Sequence, residues 1–297
     1  MNIIKILVLI CFLGLRVLAF KGFNSFQSTE FQQYNIEYFS LDKTYNIALT
    51  FDDGPGKGTE KILNLLKKYN IKATFFVLGS QVKTHAHLTN RIVSEGHLLA
   101  NHSYTHPQLA KNTYRLHPEL LIQELQKTHA LIKPYLDHKN DYYFRAPYAS
   151  WFEANAKILN QDPELRKYIG PICWDVGRKI EIYEDQFIDA ADWECWDKNH
   201  RFTPKECASG YFNALDNLKG GVALMHDIHL KTADMLEILL PELIQQGYSF
   251  VTLEQIQELK KYEYETGDLI YQPQVDSIEN SQYKGRCLLK NKPKIQL

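Results

Sequence analysis

The chain has 297 residues, 44% of them apolar, which is enough to build one large core and points to a single catalytic domain with a tail. Its 34 Lys and Arg against 35 Asp and Glu leave a net charge of -1 with both signs interspersed. No basic stripe forms, so nucleic acid is excluded as an expected partner.

Met1 to Ala19 reads as a secretory signal: Lys5 precedes the apolar run Ile6 to Leu15, and Val17-Leu18-Ala19 is an acceptable cleavage site. The run is short for a membrane span and Arg16 interrupts it. We therefore expect export to the periplasm or beyond without stable membrane insertion, an uncleaved anchor being the alternative. Residues 20–44 are polar and aromatic without a period and are expected to form an N-terminal arm. The domain then runs over 45–262, and 263–297 is a polar tail broken by Gly267, Pro273 and Gly285.

Within the domain, strand-forming Ile47 to Phe51 leads into Asp52-Asp53-Gly54-Pro55. A helix is expected over Thr59 to Tyr69, a buried strand over Ala73 to Gly79, a helix ending near Glu95-Gly96 and a strand over His97 to Asn101. There follow a helix from Pro118 to Tyr135, a strand Tyr142 to Arg145, a helix near Phe152 to Leu159 and strands Ile169 to Val176, Gly221 to His226 and Ser249 to Leu253. A helix Thr232 to Gly247 separates the last two. This alternation predicts an α/β fold with a parallel sheet, closed as a barrel or open and doubly wound. Outside the leader there are four cysteines; Cys195 and Cys207 flank a polar, aromatic loop and are the preferred disulfide, with a buried free thiol the simplest reading of Cys173.

Residues able to do chemistry fall where these strands end. Along an extended strand, Asp52 and Asp53 would point in opposite directions, so only a sharp turn at Gly54-Pro55 brings both carboxylates to one cavity. His102 and His106, four apart after the strand that ends at Asn101, can join a carboxylate in a His-His-Asp set suited to zinc. Arg145-Ala146-Pro147-Tyr148 offers a guanidinium that would orient a buried carboxylate and favour its charged form. Ala223-Leu224-Met225-His226-Asp227 closes a strand on an imidazole placed for general acid or base work, and Asp192-Trp193 supplies a carboxylate beside an aromatic wall. Each segment also has an ordinary surface-turn reading; it is their convergence on one rim of an α/β barrel that points to a site.

From about Tyr45 to Leu253 this motif set resembles the polysaccharide deacetylase family, the NodB-homology domains of carbohydrate esterase family 4. The resemblance implies a single distorted (β/α) barrel. It also implies Asp52 as catalytic base, Asp53, His102 and His106 as metal ligands for zinc or another divalent transition metal, and Arg145 as the residue orienting the base. Pro147, Tyr148, Trp193 and Leu224 would line the substrate groove, with His226 as general acid tuned by Asp192. The expected substrate is an acetylated amino-sugar polysaccharide, first peptidoglycan N-acetylglucosamine, with chitin or acetylated xylan as alternatives, acted on by a monomer. One departure stands out: Trp174-Asp175, which would normally lie close to the fourth motif, is separated from Asp192-Trp193 by residues 177–188. Asp175 therefore competes for the partnership with His226. The rival reading is an inactive glycan-binding domain that stacks sugars on Trp193, Trp196 and Tyr148; a magnesium-dependent phosphoryl-transfer site is disfavoured by the two imidazoles and the lack of a phosphate-cradling glycine loop.

Overall fold

The computed structural model describes residues 41, 44–136, 142–256 and 259. The expected leader, most of the expected N-terminal arm and the expected polar tail lie outside these residues. In chain order the elements are β1 (Asn46–Asp52), α1 (Thr59–Lys68), β2 (Thr74–Val77), α2 (Gly79–Thr84), α3 (Ala86–Ser94), β3 (Leu98–Asn101), α4 (Asn112–Leu116), α5 (Pro118–Ile132) and α6 (Glu153–Leu159). After them come β4 (Glu181–Tyr183), β5 (Gln186–Asp189), α7 (Asp192–Cys195), α8 (Pro204–Leu218), β6 (Gly221–His226), α9 (Leu230–Gln245) and β7 (Ser249–Phe250).

Strands β3, β2, β1 and β6 lie side by side in that order, all parallel, and the short β7 pairs with the start of β1. Such strands are covered on both faces, which is why β1 reads as an unbroken apolar run and is buried from Ile47 to Asp52. On one face lie α1, whose Ile62, Leu63, Leu65 and Leu66 form its inward stripe, and α9 with Met235, Leu236, Leu239 and Leu240. The sheet continues past β3 through single bridges: Asn101 to Phe144, Tyr143 to Ile169, and Val176 back to Ala223 of β6. All three are parallel and lead from β3, at one edge of the ladder, round to β6 at the other, so the architecture is a distorted (β/α) barrel whose last two staves are held by bridges rather than ladders.

Those two staves are where the sequence expectation needs correction. Tyr142 to Arg145 and Ile169 to Val176 take extended routes but form no continuous strands, and Pro171, which has no N–H to donate, falls inside the second. The strand expected over Ser249 to Leu253 stops at Phe250 and turns into a short 3-10 helix. Two further features have no counterpart in the expected elements: the antiparallel hairpin β4–β5 and the 15-residue helix α8.

Candidate active site

The rim is assembled by strand ends. β1 and β6 are in register up to Asp52 and His226, and β3 ends at Asn101, immediately before His102. The backbone then departs from ordinary geometry in the rim loops that follow β1, β3 and the stave ending at Arg145. Asp53, Ser103, His106, Tyr148 and Ala149 all have positive φ, from 51° to 74°, a conformation that side chains with a Cβ adopt at a cost of order 1 kcal/mol each. At Asp53 the effect is specific: leaving β1 in the left-handed region turns its carboxylate to the side where Asp52 already points, as the two-charge turn requires.

Asp53 Oδ1 lies 3.1 Å from His106 Nε2 and 3.4 Å from His102 Nε2. Burial pushes the Asp53 carboxyl up, but the imidazoles of His102 and His106 and the charge at His226 outweigh it and hold the group well below the usual carboxylate range. His102 Nδ1 lies 2.8 Å from the Arg145 carbonyl oxygen and donates to it, which leaves the Nε2 lone pair facing Asp53. The His106 ring packs against Tyr148, with centroids 4.4 Å apart.

One atom from each of Asp53, His102 and His106 falls within 4.8 Å of the others, the metal-competent cluster found among the described residues. Asp53 Oδ1 is buried yet has no hydrogen-bond partner, although such groups are nearly always satisfied. An orphaned carboxylate oxygen faced by imidazole lone pairs is a donor set that fits a divalent transition metal such as zinc.

On one side of this cluster stands an ion pair. Arg145 is wholly buried and Asp52 nearly so; Arg145 Nη1 donates to Asp52 Oδ1 and to Thr50 Oγ1, both at 2.8 Å. Its Nε donates to the Ile172 carbonyl at 3.0 Å and its Nη2 to that of Cys173 at 3.3 Å, while the guanidinium carbon lies 4.2 Å from the ring centroid of Phe76 and 5.3 Å from that of Trp174. Every direction of movement is blocked, so the carboxylate it holds is fixed as well. The second Asp52 oxygen faces His102 Nε2 at 3.6 Å.

On the other side stands the His226–Asp192 pair. Asp192 is fully buried at the start of α7 and its carboxylate accepts four hydrogen bonds. They come from His226 Nδ1 at 2.8 Å, the His226 backbone N–H at 2.7 Å, the Thr232 hydroxyl at 2.8 Å and the Trp193 N–H at 2.8 Å. Burial would lower the His226 pKa, but the Asp192 charge and hydrogen bond, with Asp53 and Asp52 behind, push it up to about 9. Asp175, the competitor, accepts from the Val222 N–H at 2.8 Å, at the other end of β6 from His226.

Of the residues expected to line a groove, Tyr148 is 59% exposed and Trp193 48%, whereas Pro147 and Leu224 are buried. Trp196 is not a free platform: its indole N–H donates to Thr232 Oγ1 at 2.9 Å and its ring packs against the core. Cys195 and Cys207 are disulfide-bonded, tying α7 to α8, and Cys173 is disulfide-bonded too, which overturns its reading as a free thiol. Sequence reasoning missed Thr50, Tyr211 and Thr232. Tyr211 Oη receives the Asp192 N–H at 3.0 Å and donates to the Leu224 carbonyl at 2.7 Å, bridging the acid's partner to the acid's own strand. A single hydroxyl inside a strand, as at Thr50, or inside a helix, as at Tyr211 and Thr232, carries no sequence signal for such a role.

The family model for polysaccharide deacetylase matches residues 42–163. The chain is 35% identical over 214 residues to the peptidoglycan-N-acetylglucosamine deacetylase PgdA of Listeria monocytogenes, an alignment covering 71% of this chain but only 38% of that longer protein. With a peptidoglycan-N-acetylglucosamine deacetylase of Bacillus cereus it shares 33% identity over 208 residues, covering 68% of this chain and 67% of the relative. In three dimensions it is similar to a family 4 acetyl xylan esterase from Clostridium thermocellum solved with a cobalt ion, with a TM-score of 0.55 at 28% identity, covering 73% of this chain and 92% of that one. With the sequence match to the Bacillus cereus protein spanning two thirds of both chains and the barrel matching as well, the chain belongs to the polysaccharide deacetylase family.

Proposed function

We propose that the chain is a metal-dependent hydrolase that removes N-acetyl groups from an amino-sugar polysaccharide, peptidoglycan N-acetylglucosamine first among them. The observation that carries this reading is the pairing on either side of the Asp53, His102 and His106 cluster: an Arg-held carboxylate on one side and a carboxylate-held imidazole on the other. Asp53, His102 and His106 would hold zinc, which when bound polarises a carbonyl and lowers the pKa of water.

The chain's own residues divide the remaining work. Asp52, fixed by Arg145, takes a proton from the attacking water. The backbone N–H of Tyr148 donates to the oxyanion as the acetyl carbon becomes tetrahedral, and the exposed rings of Tyr148 and Trp193 flank the sugar. His226, with Nδ1 bound to Asp192, presents Nε2–H to the departing nitrogen. An amine is a poor leaving group until protonated, so an imidazole held cationic through neutral pH favours an amide over an ester substrate. Both relatives named above carry peptidoglycan N-acetylglucosamine in their names, which supports that polymer as the substrate. Three disulfide-bonded cysteines, Cys173, Cys195 and Cys207, support export to an oxidising compartment. Among the described residues no helix is long and apolar enough to cross a membrane.

The test is acetate release by the zinc-loaded chain from purified peptidoglycan, chitin oligomers and acetylated xylan. Release from peptidoglycan with an equal yield of free amine is expected. Stoichiometric binding to all three with no acetate would instead establish the glycan-binding alternative.

The His226–Asp192 pair gives a pH prediction. A raised imidazole pKa places the loss of the acid on the alkaline side, and the charge of a bound cation pulls it back, so the alkaline limb of kcat/KM is expected at or below 9. In Asp192→Asn, the largest influence raising the His226 pKa is lost, burial is opposed only by the charges at Asp53 and Asp52, and His226 loses its proton earlier. The limb should move down by more than about one pH unit, with a rate loss of about 10²-fold at neutral pH. A pH–rate profile with an unmoved limb would remove Asp192 from this role.

A further inference from the structure

Three glycines follow the Asp pair at alternate positions, Gly54, Gly56 and Gly58, and nothing in the reaction above uses them. None has positive φ, so conformational freedom is not their purpose. Space is. A Cβ at Gly54 would collide with the Asp227 carboxyl; at Gly56 it would lie 2.8 Å from the Cα of Ile228, and at Gly58 2.5 Å from the carbonyl oxygen of His229. The turn that leaves β1 after Asp52 and Asp53 therefore lies flush against Asp227-Ile228-His229, the segment that leaves β6 after His226.

Hydrogen bonds close this seam. The Gly58 N–H donates to the Asp227 carbonyl at 2.9 Å, the Thr59 hydroxyl donates to Asp227 Oδ2 at 2.6 Å, and the Gly56 N–H donates to that same hydroxyl at 2.7 Å. Thr59 and Asp227 are both fully buried. Asp227 Oδ1 has no hydrogen-bond partner, and burial raises the carboxyl to about 7. A carboxyl kept in such surroundings is costly, and packing alone does not call for it.

We propose that Thr59 and Asp227 are positioning residues: they clamp the Asp52–Asp53 turn to the end of the His226 strand, setting where the Asp53 carboxylate stands relative to the base and the acid. The β1–β6 ladder cannot do this, because it ends at the Asp52–His226 pair, one residue short of Asp53. Nor does the Asp53 backbone supply rigidity of its own, since its positive φ is a conformation that the surroundings must impose. The water that Asp52 deprotonates attacks the same acetyl carbon whose nitrogen His226 protonates, and a displacement of about 1 Å in such an arrangement costs about 10²-fold in rate. The clamp rests on the metal-dependent deacetylase reading.

Thr59→Val removes the hydroxyl at nearly constant volume, and Thr59→Ser returns it. For Thr59→Val we expect zinc binding, followed by calorimetric titration of the metal-free chain, to weaken about 10-fold. The kcat for acetate release should fall about 10- to 100-fold with KM within about 2-fold of the wild type. Thr59→Ser should restore both. Should Thr59→Val fail to fold, Gly56→Ala opens the seam with every hydrogen-bonding side chain in place, and the same weakening of zinc binding is expected. Wild-type zinc affinity and kcat in the folded Thr59→Val chain, or no restoration by Ser, would overturn the clamp. If the zinc-loaded wild type releases no acetate, the deacetylase reading falls and the zinc titrations alone decide the clamp.

Discussion

Asp52→Asn is expected to bind zinc as the wild type does while releasing acetate about 10²- to 10⁴-fold more slowly. The substitution keeps the shape of the side chain and an oxygen able to accept from Arg145, but removes the basic site that receives the proton from water. The metal set of Asp53, His102 and His106 is untouched. The loss should appear in kcat with KM little changed, because a proton transfer contributes in the transition state and not in ground-state binding. Zinc analysis and acetate release on the same preparation check it. An active Asp52→Asn enzyme would move the base elsewhere.

His102→Ala is expected to lose metal and turnover together. His102 is buried, its Nδ1 is bound to the Arg145 carbonyl and its Nε2 faces Asp53, so no neighbouring group can swing in to replace it. The variant should retain less than about a tenth of the bound zinc after dialysis and show activity reduced at least as far as in Asp52→Asn. The contrast between the two variants separates the base from the metal-holding set: Asp52→Asn loses chemistry with metal in place, and His102→Ala loses both. Metal content equal to the wild type in His102→Ala would remove it from the ligand set.

The rim was legible in the sequence wherever a strand delivered its residue directly. Ile47 to Phe51 is apolar because both faces of β1 are covered, and Gly221 to His226 is apolar for the same reason, so the positions of Asp52 and His226 followed from hydrophobic pattern alone. Arg145 has no such pattern to place it, since its stave is held by two bridges and has no ladder to give it a period. Asp192 lies furthest from what pattern can tell: it reaches His226 across 34 positions that hold the one-turn helix α7 and the 15-residue helix α8, and only the fold selects it over Asp175. The helix α8 was missed although its start is spelled out. Thr203-Pro204-Lys205-Glu206 forms a capping box with Pro at the first turn, the Thr203 hydroxyl accepting the Glu206 N–H and the Glu206 carboxylate accepting the Thr203 N–H. The glycines at 54, 56 and 58 were visible, but their meaning was not, because it lies in a surface contributed from residues 227–229.

The central expectation for the chain is metal-dependent release of acetate. The chain stripped by chelator should release no acetate from peptidoglycan above background, and activity should return in proportion to added zinc, levelling off near about one zinc per chain, as expected for a single Asp-His-His set. Full acetate release from chain holding less than about a tenth of an equivalent of any divalent metal would contradict it.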